Sequence, residues 1–150
     1  MSWDIFRAEY KQGIDAGDDM AKVIAESYDK CVKTGMTIGT APPAPLASGN
    51  VAGLEVMLKL CFSSYGVTPF PIQLDNGLKL YWLGGVTASG STVIVPGITA
   101  GYVPMGAANA TIEDFIEQLI MSFKNHMGQV SGLFPSAPTP LPFAGYNVPG

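Results

Sequence analysis

The residues that could do chemistry in this chain are few, and their spacing decides what they could do. One histidine, His126, stands near the end of a helical pattern, where the helix dipole mildly favours a cation. An exposed or capping role fits it better than that of a general base with no partner in sequence. Cys31 and Cys61 form neither a CxxC pair nor a disulfide framework. Each falls on the apolar side of a helical pattern, where cysteine behaves as a small hydrophobe. A tetrahedral zinc site would need several carboxylates beside these three residues, and none cluster at ligand spacing. The densest acids, Asp15, Asp18 and Asp19, lack the alternating ligands and terminal glutamate of a calcium loop. They read as helix-start acids, and are the one acid/base group an enzyme reading could use. Glu113 with Glu117 and Glu26 with Asp29 could pair carboxylates on a helix face, a spacing that solvated faces also produce. Tyr81 and Trp82 could stack on a sugar or a base. With no basic cluster beside them, core packing is the plainer role. No G-x-S-x-G elbow, no GK[ST] ending and no GxGxxG between strand and helix occurs. The expectation is a chain with no catalytic residue, no cofactor and no metal, and not an enzyme.

Composition shows how such a chain is used. Its 150 residues fit one domain. A net charge of −4 gives no basic footprint for nucleic acid and no polybasic patch for a membrane surface. Charged residues are 13% of the chain, against about 25% in ordinary domains. They crowd into residues 1–33 and are missing between Lys33 and Glu55, between Lys79 and Glu113, and after Lys124. A monomer with so little surface charge would be poorly soluble, so much of the surface is expected to be covered by partners, with a homo-oligomer among them. No apolar run reaches the roughly 18 residues that span a bilayer. The start Met1-Ser2-Trp3-Asp4 lacks a basic region followed by an apolar core. Both features predict a soluble, unexported product.

The elements that must position these residues are mostly helical. Ser2 can cap a helix over 2–14 whose Trp3, Phe6, Tyr10 and Ile14 recur at helical spacing. Gly13 and Gly17 predict a break before a second helix over 18–34, with apolar Met20, Val23, Ile24, Tyr28, Cys31 and Val32. An extended Pro-rich connector, 36–49, leads to a helix over 51–65, capped by Asn50. The charges of that helix are Glu55 and Lys59 alone, so it should be buried on most sides at the centre of the fold. Residues 72–83 fit both a helical face and strand alternation; the scarcity of β-branched residues and the preceding proline favour a helix. Thr111 opens a helix over 111–127 with Ile112, Phe115, Ile116, Leu119, Ile120, Phe123 and Met127 on one face. Between these last helices, 86–104 reads as a short β arm or hairpin, whose Val93, Ile94 and Val95 suit a neighbour's sheet edge. After 132, a Pro-rich extended tail, 133–150, carries Phe134, Leu141, Phe143 and Tyr146, which are costly in water and predict docking on a neighbouring subunit. The fold class is mainly α, an α-rich α+β domain over 1–132 of four to five helices, followed by the docking tail.

Three stretches carry a resemblance: Met1-Ser2-Trp3-Asp4-Ile5-Phe6 before a helix ending Ala25-Glu26-Ser27-Tyr28-Asp29-Lys30, the Gly49-Asn50-Val51-Ala52-Gly53 helix entry, and Tyr81-Trp82-Leu83-Gly84-Gly85. Over residues 1–125 the chain resembles small virion structural proteins of tailed bacteriophages, those grouped with tail and baseplate components of contractile-tailed phages. The resemblance implies an assembly role beside other virion structural proteins, in a product made in the host cytoplasm and carried in the virion. A capsid decoration or head-completion protein, and a small host ligand-binding module with an apolar pocket between helices, are the alternatives.

Overall fold

The computed structural model describes residues 2–35, 46–63, 70–83, 85–87, 92–95, 112–134 and 137–142. Helix α1 (Ser2–Asp15) turns Trp3, Phe6 and Tyr10 into the core. It ends at Gly17, whose φ of +76° is the left-handed conformation that glycine adopts without strain. Asp19 then caps α2 (Met20–Val32): its carboxylate accepts from the amide of Ala21 at 2.8 Å and of Lys22 at 3.3 Å. Gly13 sets how closely the two helices approach, because a Cβ there would lie 2.6 Å from Val23 Cγ2. Helix α2 is buried on most of its circumference, through Ala21, Val23, Ile24, Ala25, Ser27, Tyr28, Cys31 and Val32.

Helix α3 (Val51–Ser63) begins as its sequence predicts, with the Gly53 amide donating to Asn50 Oδ1 at 2.9 Å. The expected burial on most sides holds for one face only. Leu54 and Leu58 are fully buried, whereas Val56 and Leu60 are 56% and 41% exposed. An apolar helix with a single Glu-Lys line has no polarity contrast to mark its outer side. The more enclosed helix is α2, which lies between α1 and α3.

Residues 70–83 are the helix α4 (Phe70–Leu83), with Leu74, Leu78, Tyr81 and Trp82 buried. It runs antiparallel to α3: the Asn50 amide donates to the Tyr81 carbonyl at 3.0 Å, and Gly77 sits against Leu54 and Met57. Helix α5 (Ile112–Met127) meets α1 and α2 through aromatic rings. Phe123 lies 4.6 Å from Tyr28 and 5.6 Å from Phe6 between ring centroids, and 6.4 Å from Trp3. Lys124 caps this stack with its ammonium 5.7 Å from the Trp3 ring. Among the described residues the chain is mainly α, with five helices.

Five short strands form one antiparallel sheet in the order β1 (Leu46–Ser48), β2 (Val86–Thr87), β3 (Thr92–Val95), β4 (Ser131–Phe134), β5 (Ala137–Pro142). Strands β2 and β3 are the hairpin read from the sequence; residues 96–104 of the expected arm lie outside the described residues. Val93, Ile94 and Val95, expected to add to a neighbour's sheet, lie on a strand that pairs within the chain itself, with β4 along these residues and with β2 at Thr92. β3 pairs with β2 through Val86 and Thr92, and with β4 through Val93 opposite Gly132 and Val95 opposite Ser131. Part of the 133–150 tail likewise lies in the chain's own sheet, with Leu141 opposite Gly132 and Ala137 opposite Phe134. Proline has no N–H, so Pro138, Pro140 and Pro142 can give no donor to a ladder on either side of β5. Three prolines in six residues leave β5 short of donors, which disfavours regular strand addition to it.

Candidate functional site

The acids singled out by the sequence are distributed among structural tasks. Asp19 is the α2 cap. Asp15 closes α1 and lies at the end of a groove between α1 and α5. Asp18 lines a different groove, between α1 and α2. Asp29 accepts from the Tyr81 hydroxyl at 2.8 Å and from Lys33 Nζ at 2.7 Å, while Glu26 is exposed beside the α1–α2 groove. Glu117 receives a two-pronged contact from Arg7, 2.8 Å from Nε and 3.1 Å from Nη2. The hydrogen bond from Arg7 holds the Glu117 carboxyl below the usual glutamate range, and the same bond raises the guanidinium above its own. Glu113 lines the same groove without sharing that contact. The two acid pairs therefore face different partners.

His126 departs from its expected exposed or capping role, since it is fully buried. Three and seven residues after Phe123 and Leu119, it falls within the arc that α5 turns inward, beside buried Ser122 and Met127. Cys31 is buried as expected, and burial pushes its thiol up to about 12. Such a thiol is inert at neutral pH. The Cys61 side chain lies outside the described residues. Tyr81 and Trp82 pack in the core, and both make polar contacts to α2. The Trp82 indole N–H donates to the Tyr28 hydroxyl at 2.8 Å, and the rings of Tyr28 and Tyr81 meet edge to face at 4.9 Å. No group of three or more His, Cys, Asp or Glu side chains able to hold a metal occurs among the described residues.

The groove between α1 and α5 has a volume of about 420 Å³, with Arg7, Tyr10, Ile14, Ile116 and Glu117 among its walls. The ligand-binding alternative expects an apolar pocket between helices. Here the rim is charged, and Arg7 is already held by Glu117 and by Asp4 at 2.9 Å. Sequence reading missed this bridge because Arg7 and Glu117 are 110 positions apart, although Asp4 and Arg7 at i, i+3 were visible.

The more distinctive surface is the outer side of the α3–α4 pair. Val56 and Leu60 on α3, and Ile72, Leu80 and Leu83 on α4, are large apolar side chains between 38% and 56% exposed. The charges on the two helices are Glu55 and Lys59, paired at 3.4 Å, and Asp75 and Lys79. Of the residues read as interface from sequence, Val93, Ile94 and Val95 lie on β3, Phe134 on β4 and Leu141 on β5, while Phe143 and Tyr146 lie outside the described residues. The sequence missed the α3–α4 face, whose signal was an apolar helix with almost no polar residue. Compared with protein-family models, with curated proteins and with solved structures, the chain matches none.

Proposed function

We propose that the chain is a virion structural protein of a tailed phage, made in the host cytoplasm, which joins neighbouring subunits in the tail or baseplate. The observation that carries this reading is the exposed, charge-poor outer face of α3 and α4, with Val56, Leu60, Ile72, Leu80 and Leu83 in water. Contiguous apolar patches of several hundred Å² are characteristic of interaction sites. Covering one removes apolar area at about 25 cal/mol per Å², a driving force for association that needs no catalytic group. The scarcity of charge over the chain and the phage-like stretches at 1–6, 25–30, 49–53 and 81–85 support the same reading. Residues 143–150, with Phe143 and Tyr146, are a second contact in this proposal, following β5 in sequence. The other virion structural proteins are the partners, and neither nucleic acid nor membrane is required.

The test is recovery of the chain from purified particles by mass spectrometry, followed by cross-linking to map its neighbours. Tail or baseplate neighbours are the expected result. Capsid neighbours would move the chain to a decoration or head-completion role, and absence from particles would refute the reading.

A further inference from the structure

We infer that the outer face of the α3–α4 pair is a two-fold interface with a second copy of this chain. Val56 and Leu60 stand one turn apart on α3, on the same outward side as exposed Ala52. At about 100° per residue, Ile72, Leu80 and Leu83 share the outward side of α4. Gly77 lies against Leu54 and Met57, so the two helices approach closely and the outward side chains form one continuous surface.

The occupant is identified by the charges at the two margins of this surface. On α3 the margin carries Glu55 and then Lys59; Lys59 lines a groove with Asp19, Met20 and Phe62, which places this margin on the α2 side. On α4 the sequence repeats an acid and then a lysine at i, i+4, Asp75 and Lys79, on the margin away from α3. Because the helices are antiparallel, with Asn50 level with Tyr81 and Gly77 level with Leu54 to Met57, the two lines run in opposite directions. Lys79 is then level with Glu55, and Asp75 with Lys59, to within about one helical turn.

A two-fold axis along the helix pair lays α3 of one copy over α4 of the other. Glu55 then meets the second copy's lysine at 79, Lys59 meets its acid at 75, and the apolar strips meet between them. A face with equal numbers of acids and lysines in this order is complementary to itself. The exposed side chains of Val56, Leu60, Ile72, Leu80 and Leu83 supply the apolar core of such a contact, whose standard size is about 800 Å² per partner.

This inference deepens the assembly reading and names one partner within it, but its test is separate. The full chain is weighed by sedimentation equilibrium at micromolar concentration, together with Leu60→Glu/Leu80→Glu, Lys79→Glu, and Glu55→Lys/Lys79→Glu. The expected result is a dimer for the unaltered chain. Leu60→Glu/Leu80→Glu should raise the dimer Kd by about a hundredfold or more, with the far-UV circular dichroism spectrum of the folded chain retained. Lys79→Glu should raise it by about tenfold, and the charge swap should restore it. A monomeric unaltered chain, a Leu60→Glu/Leu80→Glu variant that still dimerises, or a charge swap that fails to restore association would overturn the inference. A monomer that is nevertheless found in particles would leave the assembly reading standing without this interface. A dimer absent from particles would do the reverse.

Discussion

Replacing Tyr28 by Phe tests the polar joint between α2 and α4. The Trp82 indole N–H donates to the Tyr28 hydroxyl at 2.8 Å, and both residues are fully buried. Removing that oxygen strips the indole donor of this acceptor in a place water does not reach, a situation that costs about 1–3 kcal/mol. The expected loss is about 2 kcal/mol, a fall in Tm of about 4–8 °C for a chain of this size. A built-in control is Tyr10, also buried, whose hydroxyl has no hydrogen-bond partner among the described residues. Burial alone raises its pKa. Tyr10→Phe removes a buried polar atom that makes no compensating bond, so its stability should be unchanged or higher by about 1 kcal/mol. Urea titrations followed by circular dichroism measure both, and an unchanged m-value would show that the denatured state is not the source. The reasoning is refuted if Tyr28→Phe stays within about 0.5 kcal/mol of the parent, or if Tyr10→Phe is as costly as Tyr28→Phe.

Three further outcomes follow from the same core. In a Cys61→Ser background, Cys31 should react with a thiol reagent at pH 8 only at the rate of unfolding, because its pKa is pushed up to about 12 by burial; prompt labelling of the folded chain would contradict this. The sign of the linkage is that the unfolded thiol ionises near about 8.5 while the folded one stays protonated, so Cys31 lowers stability as pH rises between the two values. Glu117 works in the opposite sense: its depressed pKa gives stability that is present above the ordinary glutamate value of about 4.3 and lost as pH falls through the lower folded value. Glu117→Gln should therefore lose less Tm than the parent between pH 6 and pH 3, modestly because the pair is about half exposed and screened by salt; equal acid losses would contradict it. Gly13→Ala gains about 1 kcal/mol of helix propensity but puts a Cβ 2.6 and 2.7 Å from the two methyls of Val23, an overpacking that costs about 1–3 kcal/mol. A net loss near 1 kcal/mol is expected, relieved in the Gly13→Ala/Val23→Ala pair, and thermal denaturation distinguishes it from a net gain.

What the sequence made legible was local. The Asn50 cap, the Gly17 stop and the apolar spacings of α1, α2 and α5 each act within one or two turns, and the five helices follow from them. Pairings across long separations were not legible. Neither the Arg7–Glu117 bridge nor the placing of 46–48, 131–134 and 137–142 in one sheet has a local signal. His126 shows the same boundary inside a single helix. Its position near the helix end fitted a solvated cation, but whether that flank of α5 is covered depends on what packs against it.

The outer face of α3 is the most instructive miss, because the same composition that hid it gives it meaning. A helix with apolar residues nearly all round is normally enclosed; here Leu54 and Leu58 satisfy the core, and Val56 and Leu60 remain outside with their neighbours on α4. Folding of the single chain gives no reason to keep large apolar side chains at those positions, since polar ones there would cost the core nothing and aid solubility. Their presence, beside margins whose acids and lysines run in opposite order, accords with a second burial step after folding. On that view the low charge of this chain and the one-sided packing of α3 have a common cause: the surface is complete only when another subunit lies on it.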